Sequence, residues 1–325
     1  MRRELQTAAQ KIAANYGNSL PTAQNAPRRT AAEQLANALP RRPLTILQCG
    51  VGVDSTGLLV RLFGLDQKPR IKLDFPIDAV FHEDTGAELL YTVEYRDWLR
   101  DKCTQLGIPF IVIETTDPAI APSKHGPIDA AYLRQPKPGI PTRRPRSCTI
   151  TRKVQPCSNL LNAHYDLRRG RWRTGDLIAN VPPGTRHRVI LGIAVDEAHR
   201  AKGQTKAIDP TREWIEVHYP MIEHNITRDL AASAIKAAGW PEAFKSGCFC
   251  CPFQPVSHYW AISQLWPDLY ERALTMEQAS RSHNPKLTLT GLPLEQAVAK
   301  WQKTHHPTDP WQIISTGYKQ SAAWE

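Results

Sequence analysis

Leu44-Thr45-Ile46-Leu47-Gln48-Cys49-Gly50-Val51-Gly52-Val53-Asp54-Ser55-Thr56-Gly57-Leu58-Leu59-Val60-Arg61-Leu62 decides the fold class. Residues 44–49 are a short apolar run, too short for a core helix, and they read as a buried strand. A turn bearing Gly50 and Gly52 follows, and the amphipathic run at residues 54–65 predicts a helix. Strand, glycine turn and helix in that order form the first half of a βαβ unit. The pattern recurs downstream. Residues 77–81 (Ile-Asp-Ala-Val-Phe) predict a second strand, 88–106 a helix, 110–114 a third strand, 188–194 a fourth and 213–219 a fifth. Alternation of this kind predicts an α/β fold with a doubly wound, mostly parallel, Rossmann-like sheet.

Outside this region the pattern is helical. Thr30-Ala-Ala-Glu33 has capping-box spacing, so residues 1–42 predict an N-terminal helical arm halted by Pro40 and Pro43. Residues 43–220 would be the α/β body, with residues 115–186 as a basic lid. Residues 221–325 predict a helical C-terminal region containing a cysteine cluster, with helices at 227–238, 257–279 and 293–303. The 325 residues are enough for about two domains. Proline, at 27 residues, is above ordinary usage and favours long ordered loops over a plain bundle.

The charge is uneven. The chain has 41 Lys+Arg, 31 Asp+Glu and a net charge of +10. Between Arg134 and Arg173 stand eleven Lys/Arg and one acid, Asp166, so this window carries the whole excess. A band of this kind predicts a polyanionic partner. Arg143, Arg144, Arg146, Arg168 and Arg169 are the candidate nucleic-acid contacts, with Tyr165 and Trp172 as stacking groups. No apolar run reaches the length of a membrane span, and Met1-Arg-Arg-Glu4 has no apolar stretch behind it. Seven cysteines, three of them at Cys248, Cys250 and Cys251, suit a metal or sulfur site in a reducing compartment. The expectation is a cytoplasmic protein without a membrane partner.

Five motifs carry chemistry. Residues 50–56 place two glycines and a helix N-terminus where an anion would find free N–H groups, with Ser55 and Thr56 as hydroxyl donors. After the second strand, closed by Phe81, comes His82-Glu-Asp84-Thr85-Gly86-Ala-Glu88; here Asp84 would act through Mg²⁺ and Thr85 on ribose or phosphate. An ordinary helix cap on Asp84 or Thr85 is the plain alternative. The third motif is Arg146-Ser-Cys148-Thr-Ile-Thr-Arg152-Lys153-Val-Gln-Pro156-Cys157. The fourth is Gly192-Ile-Ala-Val-Asp196-Glu197-Ala-His199-Arg200, and the fifth Lys245-Ser-Gly-Cys248-Phe-Cys250-Cys251. In a parallel α/β sheet such turns line one crevice beyond the strand ends.

In this order the five motifs resemble the adenine-nucleotide alpha-hydrolase superfamily, in its branch of ATP pyrophosphatases and phosphoadenosine-phosphosulfate reductase-like proteins. The likeness spans about residues 44–255. The family's Ser-Gly-Gly-x-Asp-Ser loop is met by Gly50-Val51-Gly52-Val53-Asp54-Ser55, without the leading serine and one glycine. Its Asp-Thr-Gly turn is met by Asp84, Thr85 and Gly86, its Lys-x-x-Pro by Lys153 and Pro156, and its Asp-Glu turn by Asp196, Glu197 and Arg200. The resemblance implies ATP and Mg²⁺ as cofactors. It makes Asp54, Lys153, Asp196 and Arg200 catalytic, and Gly50, Gly52, Ser55, Thr56, Phe81, Asp84, Thr85 and Gly86 ATP-binding.

Sulfonucleotide reductases of this branch carry a reactive cysteine near the C-terminus, and this chain has none after Cys251. The cysteine spacing is similar instead to sulfur-insertion members, including those of DNA phosphorothioation. This implies a 4Fe–4S cluster on Cys148, Cys157, Cys248 and Cys251, with Cys250 as a substitute ligand or a persulfide carrier. Four thiolates would serve zinc equally well. The implied partners are nucleic acid, with DNA ahead of tRNA, and a cysteine desulfurase or other sulfur donor. The rival functions are a sulfonucleotide reductase and a degenerate nucleotide-binding module that recruits nucleic acid.

Overall fold

The computed structural model describes residues 30–31, 34, 42–117, 120, 122–143, 147–166, 171–174, 177–180, 186–201, 215–244 and 246–316. The capping-box residue Glu33, most of the N-terminal arm, and Arg144, Arg146, Arg168 and Arg169 lie outside the described residues.

Five parallel strands form the central sheet: β1 (Thr45–Gln48), β2 (Ala79–Glu83), β3 (Phe110–Ile113), β7 (His187–Leu191) and β8 (Ile215–His218). The three short strands between β3 and β7 form a separate antiparallel sheet: β4 (Tyr165–Asp166), β5 (Arg171–Thr174) and β6 (Leu177–Asn180). The main sheet runs in the order β3-β2-β1-β7-β8. The chain steps outward from β1 to β3, then returns to the other side of β1, so the order reverses between β1 and β7. In register, Leu47 faces Val80 of β2 on one side and Ile190 of β7 on the other.

Alternate residues of each strand feed two cores. Leu47, Val80, Val112 and Ile190 pack with helix α1 (Val53–Phe63), with Leu99 and Cys103 of α2 (Leu90–Gln105), and with a later helix described below. Ile46, Phe81, Ile111, Ile113 and Val189 point the other way and pack with Val154, Cys157, Leu160 and Leu161. The last group belongs to a π-helical turn (Ile150–Val154) and the helix α4 (Gln155–His164) that continues it. The period-two alternation in the strands thus places apolar surface on both faces of the sheet. Between β3 and the π turn lies the short helix α3 (Ile128–Leu133).

After β8 come the short α5 (Pro220–Glu223) and α6 (Arg228–Ala237), the helix that completes the first core. Gly57 allows that packing: a Cβ there would lie 2.5 Å from the Cβ and 2.7 Å from the Cα of Ala231. Helices α7 (Val256–Leu265), α8 (Pro267–Arg281), α9 (Leu294–His305) and α10 (Pro310–Thr316) share a third core with Ala87, Leu89, Phe249 and Cys250.

Several boundaries differ from the sequence expectation. The single helix expected over residues 257–279 is two helices, because Pro267 drives Trp266 to φ −141°, ψ 70°. Strand β2 begins two residues late. The Asp78 carboxylate accepts the Thr45 N–H at 2.8 Å and the Arg42 guanidinium, so Asp78 is a polar clamp at the start of β1. Helix α2 starts at Leu90, so neither Asp84 nor Thr85 is its cap.

Candidate functional site

The first turn is held from two sides. A Cβ at Gly192, after β7, would lie 2.7 Å from Ser55 Cα and 2.9 Å from Ser55 N, so glycine lets the β7 turn abut the start of α1. On the other side a Cβ at Gly52 would meet Ser246 Oγ at 3.1 Å. Helix α1 has Gly52 as its N-cap and receives no side-chain cap there. Its first N–H groups are left by helix geometry for an incoming acceptor. Within the loop Val51 has φ 50° and is 2% exposed. The backbone there is left-handed although the residue is β-branched, at the place where the resembled loop has its missing glycine.

Ser55 Oγ bonds the Gly52 carbonyl at 3.3 Å and receives the Cys49 thiol at 3.5 Å. Thr56 is fully buried and Ser55 is 7% exposed, so of the two hydroxyls expected on phosphate, that of Thr56 faces the core. Phe81 is likewise fully buried within the sheet.

Asp54 does not stand open. Arg228, the first residue of α6, donates Nε and Nη2 to its two oxygens at 3.0 and 2.9 Å, and reaches Glu197 at 2.8 Å. Glu197 also receives Arg200. Burial raises the Glu197 carboxyl, but Arg200 and Arg228 outweigh it and hold the group below its ordinary value. Asp196 is exposed and accepts the Arg228 backbone N–H at 3.3 Å, fixing the β7 turn to α6. Arg228 is the residue that sequence reasoning missed. A cation at the first position of a helix opposes the macrodipole, so its presence there already called for acids nearby.

The second turn is joined to the cysteine segment. Leu89 N–H donates to Gly247 O at 3.1 Å and Phe249 N–H to Ala87 O at 2.8 Å, with Glu88 and Cys248 paired as an antiparallel bridge. Thr85 donates its N–H and its hydroxyl to Glu88, the latter at 2.7 Å, and its Oγ1 lies 3.2 Å from Cys248 Sγ. Since the hydroxyl hydrogen is committed to Glu88, the thiol is the donor to Thr85, and a proton chain runs Cys248–Thr85–Glu88.

Burial pushes the Glu88 carboxyl up to about 7, with repulsion from Asp84 adding to it. Asp84 goes the other way: burial raises it, but hydrogen bonding with Glu88 and the Arg96 guanidinium bring it below the ordinary range. Asp84 accepts Arg96 Nη1 at 2.9 Å and the Gly86 N–H at 2.7 Å. Glu83 is pushed up to about 8 by burial, with the Gln48 amide 3.1 Å away opposing the rise. The same amide donates to Lys153 O at 3.2 Å, joining β1 to the π turn. Burial would lower the Lys153 ammonium, but Cys248, Glu88, Glu83 and Cys251 outweigh it and hold the group above its ordinary value. His82 is driven down to about 4 by burial; it is neutral, with Nδ1–H donating to Cys49 O at 2.9 Å.

Neither Asp84, the expected Mg²⁺ ligand, nor Asp54 stands open to a cation, because both carboxylates are occupied by guanidinium groups. The cysteines divide in two. Cys250 lies within electrostatic reach of Cys148, Cys248 and Cys251, whereas Cys157 packs in the core beneath the sheet with Val154 and Leu161. Among the described residues no three Cys, His, Asp or Glu side chains are arranged to hold a metal ion. The four cysteines expected to hold a cluster, Cys148, Cys157, Cys248 and Cys251, are thus not gathered as one ligand set among the described residues.

Of the candidate nucleic-acid contacts only Arg143 is described. It is exposed, donates Nε to Pro252 O at 2.9 Å and borders a cleft of about 310 Å³ with Ile140, Thr142, Pro252 and Lys286. No helix among the described residues is long and apolar enough to cross a membrane. No family model matches the chain, and none of the curated proteins compared with it is similar enough to match.

Proposed function

We propose that the chain binds ATP across the carboxyl ends of β1 and β7 and transfers its adenylyl group to an oxygen of a nucleic acid, in preparation for sulfur insertion. The observation that carries this is the meeting of the Gly50–Gly52 and Gly192 turns where the strand order reverses. Parallel α/β sheets bind ligands at such a reversal. The doubly wound arrangement and a cysteine-bearing helical C-terminal region belong to the same proposal.

In the proposed step a substrate oxygen attacks the α-phosphorus, the bond to the bridging oxygen breaks, and pyrophosphate departs with the electron pair. The N-terminus of α1 receives the phosphate chain. Lys153 and Arg200 supply positive charge near the leaving group, a preorganised electrostatic contribution. AMP is then a good leaving group for a sulfur nucleophile brought by a donor. In this reading a persulfide donor passes its outer sulfur to Cys248, hydrogen-bonded through Thr85 to Glu88, and leaves as a thiol; the Cys248 persulfide attacks as AMP departs, and an external thiol then cleaves the S–S bond to free the product and the reduced Cys248. The basic band is the docking surface for the nucleic acid, with DNA ahead of tRNA, and the compartment is the reducing cytoplasm. No step here passes through magnesium or a cluster.

The test is pyrophosphate release from ATP in the presence of DNA or tRNA, with Ser55→Ala and Asp54→Ala as variants. Release that needs nucleic acid and falls at least tenfold in both variants supports adenylation. A second function follows from one observation, the occupation of Asp54 and Asp84 by arginines. If ATP binds but no pyrophosphate appears with any nucleic acid, the chain is a nucleotide-binding module that recruits nucleic acid, and adenylation is excluded.

A further inference from the structure

Arg152 is the largest fully buried side chain among the described residues, at 2% exposure, and it has no carboxylate partner among them. Its Nη1 donates to Gly126 O at 2.9 Å, while its Nη2 is enclosed and bonded to nothing. Arg134 stands beside it, exposed, and donates to the neighbouring carbonyl of His125. Its guanidinium lies over Gly126, where a Cβ would be 3.6 Å from Nη1 and 3.8 Å from Nη2. Gly126 has φ +80°, a conformation that turns this two-residue stretch to offer both carbonyls.

Two guanidinium groups therefore meet on adjacent carbonyls, one at the surface and one behind it, without an acid. Carbonyl bonds satisfy part of the hydrogen-bonding capacity but none of the charge. Burying an uncompensated cation is costly, and a like charge beside it adds to the cost. Two other enclosed arginines are matched by acids: Arg96 by Asp84, and Arg228 by Asp54 and Glu197. Arg152 also sits in the π-helical turn Ile150–Val154, a departure from α geometry found frequently at functional sites.

We infer that Arg152 and Arg134 form a binding site for a tetrahedral oxyanion of the phosphate class. Guanidinium forks match such an anion in shape as well as charge. Arg134 forms the mouth and Arg152 the floor, with the enclosed Nη2 as the N–H that the anion satisfies. The Arg152 fork is fixed by Gly126 before the ligand arrives, so little side-chain freedom is lost on binding. The same chemistry is carried by a terminal phosphate of a nucleotide, by a phosphodiester of nucleic acid and by free orthophosphate. The inference stands whether or not the chain adenylates anything.

The experiment is calorimetric titration and thermal unfolding of the full chain with orthophosphate, pyrophosphate, AMP and a dinucleoside monophosphate lacking terminal phosphate, against chloride at matched ionic strength. The wild type should bind at least one of these anions, and the strongest of the four identifies the source. Arg152→Met should weaken that binding by about tenfold or more, the range of a lost charge-assisted hydrogen bond, and should raise the melting temperature in chloride. Arg134→Gln, at an exposed position, should weaken the same binding by roughly three- to tenfold with little change in stability, and it decides the matter if Arg152→Met does not fold. Wild-type affinity in Arg134→Gln or Arg152→Met, or a response to chloride equal to that for phosphate, overturns the site. Because the titrations contain no ATP and read binding alone, loss of this site is read separately from loss of pyrophosphate release.

Discussion

Val51 offers a direct measure of how firmly the glycine turn is held. It is a β-branched residue at φ 50°, 2% exposed, in the loop between β1 and α1. An L-residue in the left-handed region costs about 1–2 kcal/mol relative to the right-handed one. At an ordinary position Gly is less stable than Ala by roughly 0.5–1 kcal/mol, because it loses more backbone freedom on folding. At Val51 the two effects oppose each other, since Ala keeps the strain and Gly removes it. Both variants lose the buried methyl groups of Val, a loss of about 1–2 kcal/mol. That loss largely cancels when Ala and Gly are compared with each other. Gly should therefore be as stable as Ala or more so, by up to about 1.5 kcal/mol. The assay is urea unfolding of Val51→Ala and Val51→Gly at equal m-values. If Val51→Gly is the less stable by the ordinary margin, residue 51 is not held in the left-handed region and the described turn is wrong.

Other outcomes can be measured on the same material. Glu83, pushed up to about 8, and Glu88, up to about 7, bind protons in the folded state that the unfolded chain has released. Their contribution is full below about pH 4.5 and is lost as pH rises through the folded values. His82, lowered to about 4, acts with the opposite slope below pH 6.5. The clean window is thus pH 6.5 to 8, where stability should fall by about 2 kcal/mol; Glu83→Gln should flatten that fall in urea midpoints, and an unchanged slope refutes the assignment. Gly192→Ala would drive a methyl into the Ser55 backbone and Gly57→Ala into Ala231. Each should lose about 1–3 kcal/mol, but only Gly192→Ala should also weaken ATP binding, measured by titration well below the unfolding temperature. Arg228→Met leaves Asp54 and Glu197 without their shared cation and should destabilise by roughly 3 kcal/mol, read by thermal unfolding; a loss under 0.5 kcal/mol would mean the network is solvated.

The parallel body is legible in the sequence because a strand covered on both faces is a continuous apolar run, and such runs stand out between glycine turns. Residues 44–49 and 110–114 come within one or two residues of β1 and β3. The Trp266-Pro267 break was also written in the chain and follows from the restriction before proline. The β4–β6 sheet was obscured by its charged composition, although Gly175-Asp176 between two short runs is a hairpin signal. What no spacing could show is which distant segments meet. The Glu88–Cys248 bridge spans 160 residues, and Ser246 beside Gly52 spans 194. The separation of Cys157 from Cys250 is of the same kind: it depends on which side of the sheet α4 packs, and that is decided by tertiary burial of Leu160 and Leu161.

The charge count acquires a mechanism once the pairings are known. In the body Arg42 meets Asp78, Arg61 meets Asp66, Arg96 meets Asp84, and Arg228 meets Asp54 and Glu197. Outside the basic band the chain is formally neutral, and these cations are locked to anions there. In the band from Arg134 to Arg173 acids are nearly absent from the sequence. There Arg134 and Arg152 have only carbonyl oxygens as acceptors among the described residues. A carbonyl dipole steadies a guanidinium without discharging it, so the field of the band stays directed outward to whatever anion arrives. A basic surface that only conferred solubility would keep its cations in water. Here one of them is buried at the base of the band, where it would gain from an anion and from little else. Binding of a polyanion should accordingly carry two separable components: a salt-dependent one from the exposed arginines, and a weakly salt-dependent one from Arg152. Arg152→Met should lower affinity equally at 50 mM and 200 mM salt, whereas Arg143→Gln should lower it chiefly at the former. A steep salt dependence of the Arg152 effect would place that residue at the surface and remove it from the floor of the site.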